Sequence, residues 1–263
     1  MRAFHKDKRR YFDIQYKTAK EHIIPFLSDQ LDFDKKLDVL EIGCAEAGVL
    51  KAFTELENRC VGIELLSSRI KLASDFMSLE LESGLIRFIN KNINDINIEK
   101  DIGNRFDLII LKDVIEHIPD QARFMDQIGN FLKNNGVIFF GFPPWQMPFG
   151  GHQQICESKF LSYLPYYHLL PLKLYKGLLK AGGESNQKIL ELEEIKETGI
   201  SLERFEYTCK KSAFQIRKRK LFFINPIYQY KFNLRPRKQL DLIASIPYLR
   251  NFLTTCGYYV ISK

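Results

Sequence analysis

Between residues 37 and 142 the chain alternates short apolar runs with stretches of helical length. The runs lie at 37–42, 60–65, 85–90, 106–111 and 137–142, and helical spacing falls at 49–56, 67–81 and 121–132. At 106–111 five of six side chains are apolar, too many for a strand with one wet face. Strands that alternate with helices need crossover connections, which set the strands parallel and cover both faces of the sheet. A length of 263 residues and a hydrophobic fraction of 45% suit one such domain with one insertion.

The alternation stops at Pro143-Pro144. Residues 145–200 hold prolines, glycines, aromatics, two histidines, a Gly182-Gly183 turn and a charged helix at 189–196. That is too long for a connection and predicts a functional lid between strands five and six. Beyond it come a helix at 202–211 with Ser201 as N-cap, a strand at 213–224, a helix at 240–253 and a last strand at 256–262. Residues 14–27 have helical spacing with Pro25 near their end, Asn134-Asn135-Gly136 reads as a turn, and Ser67 or Ser68 as a helix cap. The expected fold is α/β: a doubly wound, Rossmann-like, mostly parallel sheet of seven strands with a lid insertion. It divides into an N-terminal helical segment (1–36), a binding core (37–144), the lid and acceptor insertion (145–200) and the C-terminal strands (201–263).

No apolar run reaches the roughly 20 residues that span a bilayer. The basic start, Met1 to Arg10, is followed by no apolar stretch, so no secretory signal is expected. Five cysteines without CxxC spacing argue against a disulfide framework or structural zinc and for a reducing, cytoplasmic setting. The net charge of +7 suits an anionic partner or a lysine-rich surface.

The chemistry begins at Glu41-Ile42-Gly43-Cys44-Ala45-Glu46-Ala47-Gly48, which follows a buried strand and opens a helix. Small residues at 43, 45, 47 and 48 let a ligand approach the backbone, although Ala45 stands where a dinucleotide fingerprint has its second glycine. Glu64 ends the next strand, about 20 residues on, where an acid can accept hydrogen bonds from both hydroxyls of a ribose.

With these residues, and with the segment from Phe106 through Lys112-Asp113-Val114-Ile115-Glu116-His117 to Asp120, the chain resembles the class I S-adenosylmethionine (SAM) dependent methyltransferases over residues 37–144. The resemblance implies SAM as cofactor and S-adenosylhomocysteine (SAH) as product. It implies that Gly43, Cys44 and Ala45 pack on the methionine and ribose, that Glu41 is the family's acid before the turn, and that Glu64 with Leu65 holds the ribose side. Asn92, with Asp95 as the other candidate, would meet the adenine amino group where the family more often has aspartate, and Ile93 would cover the ring. Lys112, Asp113 and His117 would line the cavity beside the methyl donor, with Tyr16 contributed by the N-terminal helix. Asp113, Glu116 and His117 share one helical face, a spacing that can ligate a divalent cation; loop pinning is the preferred reading of Glu116 and His117, and no metal is assigned.

The stretch Phe142-Pro143-Pro144-Trp145, followed by Gly150-Gly151-His152, resembles a methyltransferase subgroup with an aromatic-Pro-Pro and a Gly-Gly-His, often associated with small-molecule or glycan tailoring. Phe142 stands where amine methyltransferases carry Asn, Asp or Ser, which counts against N-methylation. His152 is the candidate general base on an acceptor hydroxyl, since an imidazole titrates near neutrality. His168 reads as core, and Trp145, Phe149, Tyr163, Tyr166 and Tyr167 as an acceptor wall or a lid core. The basic runs Arg217 to Lys220 and Tyr230 to Lys238 read as solvated faces or as sites for an anionic strand. The expected function is O-methylation of a small-molecule or glycan-like acceptor. An RNA methyltransferase and a non-catalytic protein of the same fold are the alternatives.

Overall fold

The computed structural model describes residues 7–263, and its organising element is one eight-stranded sheet. The strands are β1 (Asp38–Ile42), β2 (Arg59–Ile63), β3 (Ile86–Ile89), β4 (Phe106–Lys112), β5 (Leu132–Phe142), β6 (Gln215–Ile224), β7 (Arg237–Lys238) and β8 (Cys256–Ser262). Their order is β3-β2-β1-β4-β5-β8-β6-β7. The first five are parallel, and β8 runs antiparallel between β5 and β6. The α/β fold is the expected one with eight strands instead of seven. The extra strand, β7, is two residues on the sheet edge, too short to leave a periodic signal.

Both faces are dry because successive side chains of a strand point to opposite sides. Leu108 and Ile110 of β4 join the core that includes Phe53 and Phe139, whereas Ile109 and Leu111 join the one that includes Phe140 and Phe205. The order of connection reverses between β1 and β4, the position at which open α/β sheets form a crevice outside their carboxyl ends.

Several elements depart from the local reading. The 67–81 helix is two helices, Ser67–Phe76 and Ser78–Glu82, broken at Met77. Neither Ser67 nor Ser68 caps it; Leu66 is the N-cap residue, and its N–H donates to Glu64 Oε1 at 3.0 Å. Asn134-Asn135-Gly136 is a bulge inside β5, where pairing jumps from Phe106↔Leu132 to Leu108↔Val137. A Cβ at Gly136 would stand 2.7 Å from the Phe106 carbonyl oxygen, so the bulge requires glycine there. The 240–253 stretch is two short helices, Asp241–Ala244 and Leu249–Leu253, with Pro247 between them. The N-terminal helix begins earlier than its spacing indicates, at Lys8, with the Asp7 side chain accepting from Arg10 N–H. It passes through a π turn, Ala19–Ile23, before Pro25.

The lid closes on its own small core, in which Cys156, Leu161, Tyr167, Tyr175, Leu179, Ile189 and Leu192 are buried. The run Arg217 to Lys220 is not a free basic face. Lys218 pairs with Asp29 at 2.7 Å, Arg219 with Glu206 at 2.9 Å, and Arg217 donates to Ser262 Oγ. All five cysteines are buried thiols. Among the described residues no helix is long and apolar enough to cross a membrane.

Candidate functional site

The turn after β1 is held in an unusual conformation. Gly43, Ala45 and Ala47 have φ of 71°, 48° and 65°, the left-handed region that costs an alanine about 1–2 kcal/mol. The surroundings maintain it. Gly43 and Cys44 N–H both donate to the Ile63 carbonyl, at 2.8 and 3.1 Å, and Ala45 N–H donates to Glu64 Oε2 at 3.0 Å. A Cβ at Gly43 would lie 2.7 Å from Val114 Cγ2, so the loops after β1 and β4 meet only because residue 43 is glycine. Glu64 is thus the joint of three segments, with one oxygen on Ala45 N–H and the other on Leu66 N–H. Asn90, which the sequence reading passed over, braces the same strand end by donating to the Glu64 and Leu65 carbonyls at 2.9 Å.

Behind the turn lies a line of charge. Glu41 is buried and its Oε2 has no hydrogen-bond partner. Burial raises its pKa well above the carboxylate range, against the pull of the Lys112 ammonium. Lys112, at the end of β4, is also buried and donates to Asp113 Oδ2 at 2.6 Å. Burial works against both charges of that pair. Their mutual attraction prevails, holding the lysine pKa above and the aspartate pKa below the ordinary value. Asp113 has left-handed backbone (φ 57°), with its N–H on the Gly141 carbonyl at 2.7 Å. Strain of this kind persists where the surroundings over-determine it, and such places cluster at working sites.

The lid delivers His152 to this edge. Its ring meets that of His117 edge to face, with centroids 4.9 Å apart. The two glycines before it are dictated by packing. A Cβ at Gly150 would stand 2.1 Å from the Trp145 carbonyl oxygen, and one at Gly151 2.3 Å from His168 Cβ. His168 is locked by both ring nitrogens, to Trp145 O and to Gln153 Nε2, each at 2.7 Å. Trp145 packs edge-on against His168, and Tyr167 lies beside Tyr175, so these aromatics form the lid's interior. Tyr163 and Tyr166 remain exposed.

Two expectations need correction. Tyr16 does not reach the strand ends. Its hydroxyl donates to the Glu55 carboxylate at 2.8 Å and accepts from Lys20, beside the far end of the helix Gly48–Thr54. Tyr11, one and a half turns earlier, accepts from Gln15 Nε2 at 2.8 Å and feels the charges of Lys112 and Asp113. The helix Lys8–Thr18 packs so closely on the turn that a Gly48 Cβ would lie 2.4 Å from Phe12 O, and this contact decides which face looks inward. Tyr16→Phe is therefore expected to leave SAH affinity within about 2-fold of wild type by calorimetry, as surface changes generally do. The second correction concerns His152. Loss of water contact, with the neighbouring His117, pushes its pKa down to about 4. An imidazole of that kind is neutral at pH 7 and a poor acceptor for a hydroxyl proton.

The remaining candidates are distributed as follows. The Cys44 thiol points into the core toward Gly62, so only its main chain faces the turn's outer side. Leu65 is 62% exposed beside Glu64. Asn92 is exposed and its carboxamide oxygen accepts from Asn94 N–H, while Ile93 packs partly on the core. Glu41, Gly43, Ala45, Glu64, Lys112, Asp113, His117 and His152 are brought to one edge of the sheet.

The comparisons with known proteins agree with this architecture. Residues 12–154 match a family model described as a methyltransferase domain. The chain is 28% identical over 102 residues to a ubiquinone biosynthesis O-methyltransferase of Nitrobacter winogradskyi, a match covering 39% of this chain and 37% of that protein. Similarity to a second protein of that name, from Coxiella burnetii, covers 47% of its length, so the chain spans under half of the curated relatives it matches. A SAM-dependent methyltransferase from Clostridium acetobutylicum superposes with a TM-score of 0.58 at 14% identity, over 99% of this chain and 96% of that one. The plantazolicin methyltransferase in complex with SAH gives 0.51 at 15% identity, over 97% and 84%. The strand order, the glycine turn joined to Glu64 and the family match together make the chain a member of the methyltransferase-domain family, built on the class I SAM-dependent methyltransferase fold.

Proposed function

We propose that the chain is a SAM-dependent methyltransferase that methylates a hydroxyl on a small-molecule or glycan-like acceptor. The observation that carries this reading is the convergence of Glu41, Glu64 and the Lys112–Asp113 pair at the carboxyl ends of β1, β2 and β4. The residues present suit the cofactor. Each Glu64 oxygen uses one lone pair on a backbone N–H and keeps another for a ribose hydroxyl. Glu41 Oε2, left without a partner, would suit the ammonium of the methionine part, Leu65 and Ile93 would flank the adenine, and Asn92 would meet its amino group.

When bound, SAM supplies an electrophilic methyl on a sulfonium. The chain's part is to align the acceptor oxygen with that methyl, exclude water and help the hydroxyl lose its proton. The O–CH3 bond forms as the S–CH3 bond breaks, and the electron pair stays on sulfur. His152 and Asp113 would stand at the acceptor end. The relatives named as O-methyltransferases support a hydroxyl as the acceptor, and the pairing of Lys218 and Arg219 with acids weighs against an RNA strand on β6.

Incubation with methyl-labelled SAM and a panel of phenols, catechols and glycans tests the reading. The expected result is SAH release with label in an ether. Label in RNA, with steeply salt-dependent RNA binding, would replace it with nucleic-acid methylation. Absence of SAH binding by calorimetry would replace it with a non-catalytic role.

A further inference from the structure

Glu116, His117 and His152 each bring a ligand atom to a common point, all within 4.8 Å of one another. They come from separate places: the short turn Ile115–His117 after β4, and the lid, where His152 has left-handed backbone with φ 54°. Glu116 is 5% exposed, yet neither carboxylate oxygen has a hydrogen-bond partner. A carboxylate taken out of water without a partner is costly, and native proteins seldom leave one so. Among the described residues, neither the His117 nor the His152 ring hydrogen-bonds to another protein group, unlike His168, which uses both nitrogens. The charge of Asp113 acts on all three. His117 is exposed, so the cluster opens to solvent on that side.

We propose that Glu116, His117 and His152 hold a divalent cation of the zinc or manganese kind, against which the acceptor hydroxyl docks. Two imidazoles and a carboxylate with an open position form the donor set of a catalytic first-row metal site, and imidazole favours such ions over magnesium. Donors about 2.1 Å from one tetrahedral ion lie about 3.4 Å apart, so the widest pair must close by up to roughly 1.4 Å, within reach of side-chain rotation. The ion gives the orphaned Glu116 carboxylate its partner. It also acidifies an oxygen bound to it; on zinc, water falls from about 15.7 to about 7. The hydroxyl then needs no strong base: its proton leaves to solvent on the His117 side, the oxygen takes the methyl, and sulfur keeps the electron pair. His152 serves as a ligand here and not as the proton acceptor, which revises the sequence expectation that assigned no metal. The acceptor's place rests on the O-methylation reading above; the ion site rests on the three side chains alone.

The test uses the full chain, stripped with EDTA and titrated calorimetrically with ZnCl2 and with MnCl2, beside Glu116→Gln and His152→Ala. SAH affinity, measured in parallel, reports folding and the cofactor site separately. One equivalent of metal is expected to bind wild type. Each variant should bind it at least roughly 10–100-fold more weakly, since losing a ligand costs no less than losing an outer partner. SAH affinity should stay within about 3-fold, and methyl transfer should vanish on stripping and return with either salt. Metal binding no tighter in wild type than in both variants overturns the site. Turnover that is indifferent to stripping overturns the docking of the hydroxyl on the ion. Metal binding lost in the variants, with no SAH binding by any protein, upholds the ion site and overturns the cofactor reading.

Discussion

Replacing Glu64 by alanine is expected to weaken SAH binding by more than about 100-fold, or roughly 2.7 kcal/mol, in a calorimetric titration. Two effects add. The first is the loss of charge-assisted hydrogen bonds to the ribose, each about 1.5–3 kcal/mol. The second is the loss of the brace that accepts from Ala45 and Leu66 N–H at 3.0 Å each. Without it the left-handed turn at Ala45 loses a contact that holds it, and the N-terminus of the helix Ser67–Phe76 loses its acceptor. Glu64→Gln separates the two effects. It keeps the shape but removes the charge and offers an amide N–H to one of the two backbone donors, so an intermediate loss of roughly 10-fold is expected. A Glu64→Ala protein that binds SAH within about 3-fold of wild type would remove Glu64 from the cofactor site.

Gly151→Val is expected to lower the methyl-transfer rate roughly 100-fold while leaving SAH affinity within about 3-fold, because catalysis of this kind falls about 100-fold for a 1 Å displacement. The new Cβ would lie 2.3 Å from His168 Cβ and 2.6 Å from its Cγ. His168 cannot yield easily, since both ring nitrogens are bonded and its carbonyl accepts from Lys196 Nζ. The strain therefore passes to the next residue, His152, which the proposed function puts at the acceptor end of the site. A matched control lies in the same lid. Nothing stands within 4 Å of a Cβ at Gly177, inside the helix Leu172–Ala181, so Gly177→Ala should keep full turnover and gain about 0.5–1 kcal/mol of stability. If Gly151→Val folds, as judged by its melting temperature, and turns over like wild type, His152 does not act at the acceptor end.

Much of the fold was legible because a parallel sheet buried on both faces writes itself into sequence as continuous apolar runs. β8 falls at the residues expected, and the 202–211 helix begins on the Ser201 cap as its sequence indicates. The misread elements differ in cause. The Asn134-Asn135-Gly136 bulge is set by strand pairing, which no local pattern contains. The split around Pro247 had a local signal in the proline itself, and the break at Met77 falls on a fully buried side chain. The absent Ser67 cap belongs with the bulge, since its task falls to Glu64 from the preceding strand.

The site divides in the same way. Sequence alone determined that acids would stand at the ends of β1 and β2 and a Lys–Asp pair at the end of β4, because strand ends follow from periodicity and chain order. It also placed a glycine-flanked histidine after β5. The tertiary structure alone decided that Tyr16 turns to Glu55 and not to the strand ends, since the helix packs on the turn through Phe12 and Gln15 at Gly48. It decided that His152 meets His117 over a buried, unpartnered Glu116. Its lowered basicity was decided there as well, because desolvation and the proximity of two imidazoles are properties of the folded space and not of the residue.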